Sequence, residues 1–132
     1  SLFQCRFKHN IGAMVCQGTS HAEIYNTEFM YNRCINNWCA GLLFTNSQFV
    51  MDDCNITNNH GNIITLTKSN GKLKNNNIDF SANRNDYNNG DNNHIIVGAD
   101  SHLEISKKTK ITNVPIGYNP IKTSFSGTTS VL

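Results

Sequence analysis

Short runs of apolar residues alternate with polar turns along the chain, and one arrangement of apolar and polar positions returns five times. Each copy has a small or apolar residue, a large apolar residue two positions later and, in four copies, an Asn three positions after that. The large apolar positions are Phe7, Phe29, Ile56, Phe80 and Ile111, and the Asn positions are Asn10, Asn32, Asn59 and Asn83. The spacing is irregular, between 22 and 31 residues. The pattern therefore predicts a repeat architecture.

The apolar runs are short and rich in β-branched or aromatic residues, and Gly, Asn or Ser bounds each of them. Such runs are typical of strands, and no useful length of chain shows the i, i+3, i+4, i+7 spacing of a helix. A unit of this size cannot bury its own apolar face, whereas stacked copies can. We therefore predict an all-β fold, a single-stranded right-handed parallel β-helix (a solenoid) of about 4–5 coils.

In this fold the equivalent residues of successive coils stack in columns. The large apolar residues form an inward ladder, and the Asn residues form a second ladder at one bend, where their amides hydrogen-bond along the stack. A smaller inward column contains Cys5, Thr27, Cys54, Ile78 and Thr109, and an outward column contains Arg6, Glu28, Asn55, Asp79 and Lys110. Residues 33–40 and 84–93 interrupt the repeat beyond the Asn bend, where a loop can leave the coil without breaking strand pairing.

The repeats cover residues 1–114, and the Pro-, Ser- and Thr-containing residues 115–132 are expected to form a C-terminal cap or linker. The chain opens inside the first copy, so we expect it to be a fragment of a longer solenoid. Asn accounts for 22 of the 132 residues, which suits a fold with many turns. The net charge of +2 gives no reason to expect nucleic acid. No apolar run approaches the ~18–20 residues that span a bilayer, so no membrane insertion by this segment is expected.

The repeated motifs resemble those of a known group of surface proteins. Phe7-Lys-His-Asn10, Phe29-Met-Tyr-Asn32 and Phe80-Ser-Ala-Asn83 share the form Phe-x-x-Asn, Ile56-Thr-Asn-Asn59 varies it, and single glycines follow at Gly12, Gly41 and Gly61. This resembles the repeats of chlamydial polymorphic outer-membrane protein passenger domains, which combine Phe-x-x-Asn with a Gly-Gly-Ala-Ile/Leu/Val motif, within the pectate-lyase-like group. The resemblance implies a β-helix, and either an adhesin or surface spike or an enzyme acting on polysaccharides.

Two carboxylates of the outward column are weak catalytic candidates. Glu28 and Asp79 would lie two coils apart, about 9.6 Å by strand spacing, at the upper limit of the ~6.5–9.5 Å that separates the carboxyl groups of inverting glycosidases. The competing interpretation is a solvent-facing ladder in which Arg6 pairs with Glu28 and Asp79 with Lys110. We favour the ladder, and predict no catalytic residue.

No metal or cofactor is predicted either. The five histidines share no metal-ligand spacing, and the nine acidic residues are scattered. Asn55-Ile-Thr57 is an N-glycosylation acceptor that points outward in the predicted coil. It matters only if the protein is secreted by a eukaryote.

The cysteine count of five is odd, so at least one thiol has no partner within the chain. Cys5 and Cys54 would lie two coils apart, beyond the ~7 Å limit for bridged Cα atoms. We expect both to be buried, reduced and unbonded to each other. Cys34 and Cys39 flank Trp38 in one interruption, and the sequence leaves open whether a disulfide closes that loop. A zinc site there is less favoured, because no other ligands cluster nearby.

Three functions are compatible with the sequence. The leading hypothesis is a non-catalytic extracellular module, a surface structural or adhesin segment on a cell or virion that binds a partner protein or a glycan. The first alternative is part of a polysaccharide hydrolase or lyase. The second is a building block that stacks end to end into a fibre or complex. The expected partners are other segments of the same or a neighbouring protein and a glycan.

Overall fold

A computed structural model describes residues 1–11, 14–32, 41–59, 61–80, 94–124 and 126–131. These residues form sixteen short strands. The strands are β1 (Leu2–Phe3), β2 (Arg6–Lys8), β3 (Met14–Cys16), β4 (His21–Tyr25), β5 (Glu28–Met30), β6 (Leu42–Thr45), β7 (Gln48–Asp52), β8 (Asn55–Thr57), β9 (Ile64–Thr67), β10 (Asn70–Leu73), β11 (Asn77–Asp79), β12 (Ile95–Val97), β13 (His102–Ile105), β14 (Lys110–Thr112), β15 (Ile121–Thr123) and β16 (Thr128–Val131). Within these ranges no helix is long and apolar enough to cross a membrane.

Three parallel sheets run along the molecule. Sheet 1 is β1-β4-β7-β10-β13-β16, sheet 2 is β2-β5-β8-β11-β14 and sheet 3 is β3-β6-β9-β12-β15. The chain visits the three sheets in turn, so each strand pairs in parallel with the strand that comes three later. This confirms the predicted parallel β-solenoid. Its right-handed winding stays a prediction, which rests on the strong general preference for right-handed crossovers between parallel strands.

The number of residues between stacked positions varies at one corner of the coil. Stacked residues are 22 positions apart in the shortest turns. The interval rises to 27 where it includes residues 33–40 and to 33 where it includes residues 81–93. In the chain, both segments fall between a strand of sheet 2 and a strand of sheet 3. They lie outside the described residues, and parallel pairing continues on both sides of them.

Alternate residues of every strand fill the interior, because successive side chains of a strand point to opposite faces. On sheet 2, Phe29 and Ile56 are 2% and 1% exposed, and the rings of Phe7 and Phe29 stack with centroids 5.0 Å apart. Sheets 1 and 3 contribute further buried ladders. One ladder of sheet 1 consists of Ile24, Met51, Leu73 and Ile105. One ladder of sheet 3 consists of Leu42, Ile64 and Ile95.

In the fourth coil, the strand of sheet 2 pairs with its neighbours two residues earlier in the sequence than predicted. Ile78 pairs with Ile56 on one side and with Ile111 on the other, so the prediction that Phe80 belongs to this ladder is wrong. Ile78 likewise does not belong to the smaller inward column, where Asn76 takes its place. Phe80 is buried two positions further on. The error arose because Phe80-Ser-Ala-Asn83 matches the sequence motif. The pairing of β8 with β11 follows the 22-residue length of this turn instead, which places Ile78 opposite Ile56.

An Asn ladder occupies the corner between sheets 2 and 3. The backbone N–H and Nδ2 of Asn10 donate to Oδ1 of Asn32 at 3.0 and 3.1 Å, and the same groups of Asn32 donate to Oδ1 of Asn59 at 3.0 and 3.1 Å. Nδ2 of Asn32 and of Asn59 also donate to the carbonyl oxygens of Phe7 and Phe29 in the preceding turn. The ladder thus satisfies buried polar groups where the chain turns. Asn83 lies outside the described residues.

The corner between sheets 3 and 1 is a Ser ladder. The backbone N–H of Ser47 donates to Oγ of Ser69 at 3.0 Å, and that of Ser69 donates to Oγ of Ser101 at 3.1 Å. Ser20 holds the equivalent position one turn before Ser47, since its carbonyl oxygen accepts from the N–H of Gln48 as that of Ser47 accepts from the N–H of Asn70. All three side chains from Ser47 onward are buried.

The third corner, between sheets 1 and 2, uses mixed side chains. The N–H of Cys54 donates to Oδ1 of Asn76 at 3.0 Å, and the N–H of Asn76 donates to Oγ1 of Thr109 at 3.2 Å. Thr27 occupies the same column one turn before Cys54 and donates its hydroxyl to a nearby carbonyl. Thr and Asn are therefore native alternatives to Cys at this corner.

Left-handed backbone precedes the ladder residues at all three corners. Asn26, Tyr31 and Asn46 have φ of 48°, 56° and 51° and stand directly before Thr27, Asn32 and Ser47. The other non-Gly residues with positive φ are Gln4, His9, Asp53, Asn58, Lys68, Asp100 and Asn113. Asn adopts this conformation at lower cost than most residues, which accounts for part of its abundance.

Residues 115–132, expected as a cap or linker, contain β15 and β16. These strands pair in parallel with β12 and β13 and so extend sheets 3 and 1. Pro115 and Pro120 have no backbone N–H to donate to a strand pair. Both lie between strands, where no such donor is needed.

Replacing Phe29 with Ala should lower the free energy of unfolding by about 3–5 kcal/mol, because it opens a cavity between Phe7 and Ile56. Phe3 is 64% exposed, so Phe3→Ala should change stability within about 0.5 kcal/mol. Urea unfolding of both variants checks this, and equal effects would contradict the stacked core.

Replacing Asn32 with Asp should lower the free energy of unfolding by about 3–5 kcal/mol near neutral pH, since a buried carboxylate would replace an amide that donates to two acceptors. Asn70 is exposed on β10, and Asn70→Asp is the isosteric control. A difference in denaturant midpoint between the two variants measures the ladder. Similar midpoints would show that the ladder adds no stability.

Candidate functional site

The structure does not bring the two predicted carboxylates together. Glu28 lies in a column with Arg6, Asn55, Asn77 and Lys110. Nε of Arg6 donates to Oε2 of Glu28 at 2.8 Å, which confirms that predicted pair. Asp79 lies in the next outward column because of the two-residue register shift, beside Thr112 instead of Lys110. The predicted column of Glu28 with Asp79 is therefore wrong, and so is the Asp79–Lys110 pair.

A shallow groove crosses the outer face of sheet 1 instead. It encloses about 250 Å³ and adjoins a second depression of about 410 Å³ at the Ser corner. The groove is lined by the outward side chains of β4, β7, β10 and β13, namely His21, Gln48, Val50, Asn70, Lys72, His102 and Glu104, over the backbone of Phe49 and Gly71. We call these outward residues the sheet 1 groove.

Strand register arranges the groove residues in two rows. The first row is His21, Gln48, Asn70, His102 and Thr128, and the second is Glu23, Val50, Lys72, Glu104 and Ser130. Neighbouring members of a row are one strand spacing apart, about 4.8 Å. The rows therefore present imidazole, amide, ammonium, carboxylate and hydroxyl groups at regular intervals on a rigid sheet.

Interior side chains pack closely beneath the groove. Gly71 faces inward, where a Cβ atom would lie 2.1 Å from ring atoms of Phe49. The Phe49 ring fills the space that a larger residue would need, and it stacks on Phe44 with centroids 4.0 Å apart. The backbone of β10 can thus pack directly over an aromatic ring.

Several groove side chains are held by contacts with their neighbours. Nζ of Lys72 lies 3.8 Å from Oε2 of Glu104. The ring nitrogens of His102 contact the hydroxyls of Thr128 and Ser130, at 2.7 Å from Nδ1 and 3.0 Å from Nε2. These contacts orient the groups before any ligand binds.

Nε2 of His102 lies 3.0 Å from Oγ of Ser130, a distance that also separates the general base and the nucleophile of a catalytic triad. The third member of such a triad does not occupy its place here. In a hydrolase triad a carboxylate holds the second ring nitrogen, whereas Nδ1 of His102 contacts the hydroxyl of Thr128. The row carboxylates Glu23 and Glu104 lie three strands apart, about 14 Å by strand spacing. This exceeds the ~6.5–9.5 Å used in glycoside hydrolysis.

The sequence interpretation missed this groove, although a signal was present. In all four strands the first outward residue directly follows the Ser of the corner, as Ser20-His21, Ser47-Gln48, Ser69-Asn70 and Ser101-His102. A Ser followed by a hydrogen-bonding side chain thus recurs once per turn. In the described part of the chain, no group of three or more His, Cys, Asp or Glu side chains could hold a metal ion.

No known protein family, no curated protein and no solved structure matches this chain. The function of the groove must therefore follow from the chemistry of its own residues.

The described cysteines are free thiols. Cys54 is buried, whereas Cys5 is half-buried, so the expectation that Cys5 is buried was wrong: among the described residues, its turn packs against another turn on one side only. Cys16 is also half-buried and free. Cys34 and Cys39 lie outside the described residues, so their pairing stays a prediction.

Burial raises the pKa of the Cys54 thiol, mainly through desolvation of the thiolate, although backbone hydrogen bonds at Thr27 and Asp52 lower it. Desolvation likewise raises the pKa of Cys16. Asn55, the possible glycosylation site, is exposed on the outer face of sheet 2, and its glycosylation stays a prediction.

Because the folded-state pKa of Cys54 is raised, its contribution to stability should be complete below the ordinary thiol pKa of about 8.5 and should be lost as the pH rises further. Cys54→Thr removes the thiol and keeps a side chain that this corner already accepts at Thr27 and Thr109. The wild type should therefore lose more stability than Cys54→Thr between about pH 7 and pH 10. Urea unfolding at both pH values tests this, and parallel losses would contradict it.

Proposed function

We propose that this chain is a non-catalytic extracellular β-helix module, a structural or adhesin segment of a cell or virion surface, and that its sheet 1 groove binds a glycan. The observation that carries the proposal is the double row of outward side chains on sheet 1, most of which can form hydrogen bonds. The resemblance of the Phe-x-x-Asn repeats to those of chlamydial passenger domains and the pectate-lyase-like group supports the same setting.

A glycan fits the chemistry of the rows. Sugars present several hydroxyls that both donate and accept hydrogen bonds, and the amides of Gln48 and Asn70 can do the same in return. Lys72 and Glu104 add charge-assisted hydrogen bonds at one side. Val50 provides an apolar contact between these polar groups. Because the strands are parallel and regularly spaced, an extended chain of sugars can meet several rungs at once.

Bond cleavage has less support. Glu28 is paired with Arg6, Asp79 lies in a different column, and Glu23 and Glu104 are three strands apart. None of these carboxylates stands opposite a second one at the separation that glycoside hydrolysis needs. The groove is also open along its length, so it does not exclude water from a reacting bond.

Binding to an array of bacterial and eukaryotic glycans should identify a ligand, and removing two groove amides should weaken its binding by about tenfold. The test variant is Gln48→Ala with Asn70→Ala. The matched control is Asn55→Ala with Asn77→Ala, which removes two outward amides from neighbouring strands of sheet 2. Absence of any glycan ligand, or an equal loss in both variants, would refute glycan binding by the groove.

The wild type should release no reducing sugar from pectin, alginate or bacterial surface glycans. The same assay on Glu28→Gln, Asp79→Asn and Glu104→Gln provides the controls. Sugar release that one of these substitutions abolishes would replace the binding function with a hydrolytic one.

A further inference from the structure

The depression at the Ser corner, which adjoins the sheet 1 groove, differs from the groove in its charge. It encloses about 410 Å³, and residues at and just before the starts of β4, β7 and β10 line it. None of the described residues that line it is acidic, whereas Glu104 lines the groove itself. Its central strands, β7 and β10, lie inside the stack, because β4 and β13 flank them.

Several polar side chains of the depression are exposed and make no hydrogen bond to any other described residue. They are Thr19, Asn46, Gln48, Lys68 and Asn70. The serine hydroxyls beside them are occupied, since Oγ of Ser20 donates to the carbonyl oxygen of Gln17 at 2.8 Å. Oγ of Ser47 likewise lies 3.0 Å from the carbonyl oxygen of Gly18. The exposed side chains are therefore the groups that a ligand would meet.

Lys68 provides the positive charge of the depression. Its φ is 49°, and it holds the corner position that Asn46 and Asp100 hold in the neighbouring turns. Its N–H donates to the carbonyl oxygen of Ala99 at 2.8 Å, which fixes the backbone from which the side chain leaves. Asp100 in the next turn accepts from the hydroxyl of Ser126 at 2.7 Å. The ammonium of Lys68 forms no ion pair with a described residue, so it is available to an anion.

The carboxylates of the groove lie on its other side. Glu23 and Glu104 belong to the second row, whereas the first row, next to the Ser corner, contains no carboxylate. Oε1 of Glu23 lies 3.4 Å from Nε2 of His21. Oε2 of Glu104 lies 3.8 Å from Nζ of Lys72. A ligand that crosses both rows would therefore meet a cation at the corner and carboxylates further away, which favours a negative group at the corner.

We propose that the depression at the Ser corner binds an anionic substituent, a sulfate ester or a carboxylate, of the glycan in the sheet 1 groove, and that Lys68 pairs with it. This proposal rests on the proposed glycan binding. Both kinds of anion accept hydrogen bonds and donate none, so they match the ammonium of Lys68 and the amide donors of Asn46 and Asn70. Lys68 thus selects charged glycans over neutral ones.

The test is an NMR titration of the protein with three monosaccharides that share a ring, namely glucose, its sulfate ester on the primary hydroxyl, and glucuronate. The ionic strength is kept constant with sodium chloride. At least one of the two anionic sugars should shift the amide signals of Asn46, Lys68 and Asn70, whereas glucose should shift them much less. The anionic sugar that gives the larger shifts identifies the substituent.

Two lysine variants make the result specific. Lys68→Gln should weaken binding of the anionic sugar about fivefold, as the loss of an exposed ion pair does, and added salt should have a similar effect. The matched control is Lys74→Gln, which removes an exposed lysine at the other end of β10 that lines neither the groove nor the depression. Equal shifts from all three sugars, no shift from either anion at high millimolar concentration, or equal losses in the two variants would overturn the proposal.

The outcome separates this site from glycan binding by the groove. If neutral glycans bind and the Gln48→Ala, Asn70→Ala variant weakens them, while neither anionic sugar shifts Lys68, the anion site is refuted and the groove function stands. If the anionic sugars shift Lys68 but no glycan of the array binds, the groove function is refuted, and with it the assignment of the anion to a glycan.

Discussion

The solenoid depends on satisfying backbone polar groups at three corners in every turn. A strand can pass its hydrogen bonds to the strand one turn away, but a buried bend cannot, and each unpaired group there would cost about 1–3 kcal/mol. The chain meets this constraint with a residue of left-handed backbone followed by a short polar side chain. Asn32 and Asn59, Ser47 and Ser69, and Thr27 fill this role at the three corners. The apolar ladders can form only because the corners are satisfied in this way.

The corners also determine where variation can occur. The turns differ in length between sheets 2 and 3, and the outer faces of the sheets carry side chains that the core does not constrain. Sheet 1 uses this freedom for a double row of polar groups that neighbouring hydroxyls and charges hold in place.

Periodicity predicted most of the fold. Short β-branched and aromatic runs indicated strands, and Phe29 and Ile56 were assigned to the interior correctly because strand alternation makes inward positions visible. Phe80 was misplaced because two competing matches, Ile78 and Phe80, lie two residues apart on the same face. Sequence alternation alone cannot distinguish positions that share a face. Pairing of Ile78 with both Ile56 and Ile111 resolves the choice.

By itself, the sequence determined the fold class, the Asn ladder and the corner at which the turns differ in length, because these depend on local preferences and on a repeat that can be counted along the chain. Only the tertiary structure decided which side chains share a column. A displacement of two residues separated Asp79 from Glu28 and removed the predicted pair of carboxylates. The groove likewise joins His21, Asn70 and His102 from strands that are far apart in sequence. Their proximity follows from the pitch of the coil and the lengths of its loops, which no single stretch of sequence contains.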